Sequence, residues 1–161
     1  MKDVIIGFSK PNTFKIGAKI ISMYEHTEFS HVYLRVYTPF ADRHIVYQAS
    51  HGYVNCLTYD NFKAGNDIVA EFIYEVKDEK CRNIIQYCMD HLQTPYSYLG
   101  LVEIACKKLF KIKGDGDKGF VCSELAARAM PEFYRGDPDL ADPKDLFNAL
   151  SEKNRDITRI K

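Results

Sequence analysis

Apolar positions recur every second residue through much of the first half of the chain, and every third or fourth residue through the second. Residues 3–8 (DVIIGF) are a short apolar run that predicts a buried strand. Pro11, Asn12 and Thr13 break it, and Thr13 suits the N-cap of a helix. Phe14, Ala18, Ile21 and Tyr24 follow at spacings of four, three and three, a helical stripe that Gly17 weakens by about 1 kcal/mol relative to alanine. Residues 31–37 (HVYLRVY) alternate, with Val32, Leu34 and Val36 on one face and His31, Tyr33, Arg35 and Tyr37 on the other. Residues 38–43, with Pro39 and Asp42, predict a hairpin loop, and residues 44–50 the return strand. A further strand is expected over 53–57, after Gly52, and another over 69–76, after the turn-rich stretch 63–67.

In the second half, Cys81, Ile84, Ile85, Cys88, Met89 and Leu92 mark a helical stripe ended by Thr94 and Pro95. Leu99, Val102, Ala105 and Leu109 predict a helix over 97–110, and residues 113–119 (KGDGDKG) a glycine-rich turn. Residues 122–130 predict a helix stopped by Pro131. Asp142 and Pro143 have the N-cap and first-turn chemistry to open another, through Leu150. Residues 157–160 suit an edge strand. The sum is an α+β fold, an antiparallel sheet flanked by helices. No repeat or linker divides it, so a single domain is expected over 1–161.

The 161 residues suit one domain by length and can bury about two-thirds of their unfolded surface. Twenty-two basic against 22 acidic residues leave a formal charge of zero. That removes the electrostatic argument for a nucleic-acid partner. No apolar run approaches the roughly 18 residues of a transmembrane segment. Asp3, Lys10, Lys15 and Lys19 are incompatible with a secretory signal, so cytoplasmic synthesis is expected. Five cysteines without a C-x-x-C pair give no support to a zinc ribbon or a thioredoxin-like site. His26, His44, His51 and His91 lack metal-ligand spacing, and Asp115 and Asp117 lack the further ligands of a calcium loop. No metal and no cofactor is expected. Lys107, Lys108, Lys111 and Lys113, beside Leu109, Phe110 and Ile112, suit a solvated helix end, with an anionic or lipid surface as the alternative.

Candidate chemistry centres on Phe120-Val121-Cys122-Ser123-Glu124. Cys122 would occupy the first turn of a helix, where unpaired N–H groups and the macrodipole favour a thiolate and can hold an oxyanion. His31 is the best placed base among the histidines, at the start of a strand and on the face opposite the apolar row. A third group should hold the other imidazole nitrogen. With the hairpin centred between Pro39 and Phe40, His31 lies directly opposite Gln48, whose side-chain oxygen accepts from an imidazole N–H. A two-residue change of register would bring Ser50 opposite His31 instead. Cys56, Cys81, Cys88 and Cys106 are expected to be buried and less reactive.

These residues carry a resemblance. S-H-V-x-L at 30–34, V-Y-Q-A at 46–49, P-Y-S at 95–97 and V-C-S-E-L at 121–125 stand in an order that resembles the circularly permuted NlpC/P60 branch of papain-like cysteine hydrolases. This is the YiiX/YebB-like group, related to the lecithin:retinol acyltransferase-like proteins. The likeness spans about residues 3–148, including Asp142-Pro143-Lys144-Asp145-Leu146. It implies a papain-like fold, with Cys122 as nucleophile, His31 as general base and Gln48 as the orienting residue. It implies Tyr96, Ser123 and Glu124 on the substrate side, Glu124 in a structural or positioning role. Gln48 departs from the pattern, since many relatives carry His or Glu there, and a neutral amide orients imidazole without stabilising imidazolium as a carboxylate does. The expected activity is hydrolysis of an amide or peptide, bacterial cell-wall peptides being the first choice. Compact size and the missing signal also fit a bacteriophage or bacterial accessory protein. The alternatives are acyl-ester or acyl-transfer chemistry on lipids, and a non-catalytic binding module.

Overall fold

The period-two stretches fold into five strands of one antiparallel sheet. The computed structural model describes residues 1–12, 27–50, 52–95 and 121–153. The strands are β1 (Lys2–Pro11), β2 (His31–Thr38), β3 (Arg43–Ser50), β4 (Tyr53–Thr58) and β5 (Asn66–Val76), in the spatial order β4-β3-β2-β1-β5. Among the described residues, four α-helices accompany them: α1 (Tyr59–Gly65), α2 (Asp78–Asp90), α3 (Cys122–Ala129) and α4 (Pro143–Lys153). The α+β class is therefore as expected. The helices expected after Thr13 and over 97–110, the turn at 113–119 and the strand at 157–160 lie outside the described residues.

The alternation of β2 decides the layering. Val32, Leu34 and Val36 face the main core, with Val4, Ile6 and Phe8 of β1 and Phe72 of β5 beside them. The apolar stripes of three helices close that core: Cys81, Ile84 and Cys88 from α2, Leu125 and Ala126 from α3, Leu146 and Leu150 from α4. Met89, counted in the α2 stripe from its spacing, is exposed. Asp142 caps α4 as its sequence predicts, its carboxylate accepting the Asp145 N–H at 2.6 Å, with Pro143 in the first turn.

The second face of the sheet is also covered, over part of its area. Helix α1, where the sequence suggests only a turn at 63–67, lays Phe62 against Tyr33 and Val46. Seven residues with one buried position give too short a pattern for a 3.6-residue period to register. At its start the Thr58 hydroxyl accepts the Asn61 N–H at 3.4 Å as an N-cap.

Beneath α1 runs a buried polar row. Tyr33, Gly7 and Glu71 are cross-strand neighbours on β2, β1 and β5. The Tyr33 ring lies across β1 over Gly7 and donates its hydroxyl to Glu71 Oε1 at 2.7 Å. A Cβ on Gly7 would overlap that ring. Glu71 also accepts from Arg35 at 2.7 Å and from the Tyr59 hydroxyl at 3.0 Å, while the Arg35 guanidinium sits 4.2 Å from the Tyr59 ring centroid. Burial, then the neighbouring carboxylate, holds the Tyr33 phenol far above its usual range, so it remains a donor.

Two stability predictions follow from this row. Glu71→Ala strands the largely buried Arg35 charge and should cost about 3–5 kcal/mol in urea unfolding; a loss below about 1 kcal/mol would show that the ion pair contributes little. Gly7→Ala should cost about 1–3 kcal/mol by overpacking. In a Tyr33→Leu background, where no ring crosses Gly7, the same substitution should cost much less; equal penalties in both backgrounds would contradict the contact.

Candidate active site

The hairpin register differs from the centring expected from sequence, and the difference is two residues. Thr38 pairs with Arg43 and Leu34 with Tyr47, so the loop comprises Pro39, Phe40, Ala41 and Asp42. Proline's fixed φ suits the position just after the turn begins, so Pro39 starts the loop and does not sit at its centre. Asp42 ends it in the left-handed region at φ 49°, with its N–H on the Pro39 carbonyl and its carboxylate accepting from the Tyr37 hydroxyl at 2.6 Å. Continued to the start of β2, this register sets Ser50 opposite His31.

A two-residue slip preserves the face of every side chain, because the strand period is two. Gln48 therefore remains on the His31 face as its diagonal neighbour, within reach for a long side chain. The two meet: His31 Nε2 and Gln48 Oε1 lie 2.6 Å apart. An amide oxygen only accepts, so the imidazole Nε2 carries the proton in this bond and, in the neutral ring, Nδ1 carries the basic lone pair. Gln48 is buried and not solvent-facing. Its amide nitrogen donates to Asn55 Oδ1 at 3.1 Å, across the β3–β4 ladder. Sequence reading overlooks Asn55. The available signal was a strand-averse amide on the alternation face of its partner strand.

Cys122 occupies the first turn of α3, as its sequence context predicts, and is buried. It belongs to the core cluster that contains Val32 and Ala49, the chain neighbours of His31 and Gln48. Helix α3 packs on β2 and β3. Just past its far end, the Phe133 ring stacks 3.9 Å from that of Tyr74, which lies in the row Val36–Val4–Tyr74. Cys122 thus begins a helix that lies on the core side of β2. His31 projects from the opposite face of that strand.

The other expected site residues fall as follows. Ser123 is fully buried and donates its hydroxyl to the Ala141 carbonyl at 2.5 Å, tying α3 to the turn before α4. Glu124 accepts the Val121 N–H at 3.4 Å and pairs with Arg128 at 2.8 Å, while Arg128 also reaches Asp139. Burial pushes the Glu124 carboxyl up despite the Arg128 guanidinium. These contacts stabilise the first turn of α3 and hold its direction. Tyr96 lies outside the described residues. A groove of about 1050 Å³ between β5, α1 and α4, bordered by Lys10, Phe29, Lys63, Lys144 and Phe147, is lined by none of Cys122, His31 and Gln48.

Among the described residues, no group of three or more His, Cys, Asp or Glu side chains is placed to hold a metal ion, and no helix is long and apolar enough to cross a membrane. Neither a scan against protein-family models nor a search of curated proteins gives a match to the chain.

The other cysteines divide in a way the sequence does not anticipate. Cys81 and Cys88 are buried as expected, and desolvation pushes the Cys88 thiol up to about 12. Cys56 is exposed, because β4 is an edge strand with little packed over that position. Cys106 lies outside the described residues. Native alkylation at pH 8 should therefore modify Cys56 readily and leave Cys88 intact until the protein unfolds, with modified peptides identified by mass spectrometry. Fast native labelling of Cys88 would contradict its burial.

Proposed function

We propose that the protein is a thiol hydrolase of the papain-like, permuted NlpC/P60 type, acting on an amide or peptide bond. Cys122 is the nucleophile, His31 the general base and Gln48 the group that orients the imidazole. The observation that carries this reading is the 2.6 Å bond between His31 and Gln48. It fixes the proton on Nε2 and leaves Nδ1 as the ring atom able to take a thiol proton. Cys122, in the first turn of α3, supplies the complementary half, since helix N-terminal N–H groups favour a thiolate and can stabilise an oxyanion.

In the proposed reaction the Cys122 Sγ attacks the substrate carbonyl carbon and His31 Nδ1 receives the thiol proton. Collapse of the tetrahedral oxyanion breaks the C–N bond, and His31 returns the proton to the departing amine. Water, deprotonated by the same nitrogen, then attacks the thioester, and the thiol leaves as the carboxylic acid forms. Gln48 keeps the ring in one tautomer throughout. Because it is neutral, it contributes less to imidazolium than a carboxylate would. Cell-wall peptides remain the first substrate class to test, and lipid acyl esters the second, since both bonds pass through the same acyl-thiol chemistry.

A non-catalytic binding module on the same scaffold is the competing reading. What favours it is the buried thiol on the core side of the sheet and the imidazole on the other. For the pair to act together they must meet around the end of the sheet at the start of β2.

Iodoacetamide labelling, resolved by peptide, separates the two readings. Rapid modification of Cys122 at pH 6, slowed about tenfold or more by His31→Ala, is the expected result for an activated pair. Cys122→Ala should then abolish hydrolysis while leaving the thermal midpoint nearly unchanged. Slow labelling of Cys122 with no response to His31→Ala would support the binding module.

A further inference from the structure

We propose that Asn55 is a positioning residue that sets the tautomer of His31 through Gln48. The inference rests on the proposed catalytic reading only for its consequence, since its geometry stands on hydrogen bonds alone. The carboxamide of Gln48 has nearly the same shape in both flips, so packing does not choose which end faces His31. A flip would present NH2 to Nε2. The imidazole would then have to accept there and carry its proton on Nδ1, which removes the base from the side that a thiol needs.

Asn55 resolves this choice. Its Nδ2 donates to two backbone carbonyls of the β3–β4 turn, Ser50 at 3.0 Å and Tyr53 at 3.2 Å. Carbonyls only accept, so the NH2 end of Asn55 must face the turn and its oxygen must face Gln48. That oxygen requires a donor, so the NH2 end of Gln48 faces Asn55 at 3.1 Å and its oxygen faces His31. The proton on Nε2 is thus dictated from two backbone carbonyls, through two amides in series. Gln48 and Asn55 are direct cross-strand partners, so the relay is held by the ladder itself. A glutamate at position 48 would present oxygen in either flip and would make this relay unnecessary.

Nitrogen-15 NMR of the His31 imidazole, combined with Cys122 alkylation rates, tests the proposal on the full chain. The wild type should hold the neutral-ring proton on Nε2. Asn55→Leu should shift it toward Nδ1 and slow Cys122 labelling by about tenfold. Asn55→Asp keeps the acceptor for Gln48 but loses both donors to the turn, so it should retain the Nε2–H tautomer. A role confined to bracing the turn would instead make the Asp and Leu variants alike. Asn55→Ser, whose hydroxyl stops short of Gln48, replaces the Leu variant if that does not fold, and is read the same way. An unchanged tautomer in the Leu or Ser variant, or loss of Nε2–H in the Asp variant, overturns the inference. A tautomer that responds while Cys122 labelling does not would uphold the role of Asn55 and count against the nucleophile–base pair.

Discussion

The polar face of β2 is the constraint on which the remainder of the site depends. Tyr33 crosses β1 at Gly7 to reach Glu71, and Arg35 reaches the same carboxylate from two residues along. These bonds tie β2 to β5 across the intervening strand, with α1 packed above them. A charge pair this deeply placed is weak evidence for added stability, because desolvation offsets much of its Coulomb attraction. Its geometric consequence is firmer. Tyr33 or Glu71 left alone would be a buried, unsatisfied group, so the row favours one register of β2 against β1 and β5.

His31 begins that same face. Its partner arrives from β3 and the partner's support from β4, so the His31–Gln48–Asn55 chain runs outward from β2 toward the sheet edge while Tyr33–Gly7–Glu71 runs the other way. The two rows use the sheet differently. One needs the absence of a side chain at Gly7, and the other needs amides of defined orientation. Both rely on side chains facing the same way every second residue, and neither needs a charge at position 48.

The opposite face supplies the hydrophobic burial and carries α3. Ser123 and Glu124 hold that helix by its first turn, and Phe133 anchors the chain beyond its last. A thiol at the start of such a helix is positioned by contacts at both ends. The proposed chemistry thus draws on a nucleophile fixed by the core layer and a base fixed by the polar layer, and it requires the two to meet across the sheet.

The sequence by itself determined the strands, three of the described helices, the Asp142 cap and the location of Cys122 in a first helical turn. Each of these rests on local periodicity or on side chains that bond within a few residues. It also determined that His31 and Gln48 share a face, since that depends only on parity and survives a two-residue slip. The register itself was decided by the conformation of Pro39 through Asp42, where the left-handed Asp42 sets the loop length. Helix α1 escaped because a single buried Phe62 has no period. The Asn55 relay and the passage of Tyr33 over Gly7 were decided by tertiary structure alone. The first depends on the register of the β3–β4 hairpin, which neither strand's alternation sets, and the second on strands distant in sequence lying side by side.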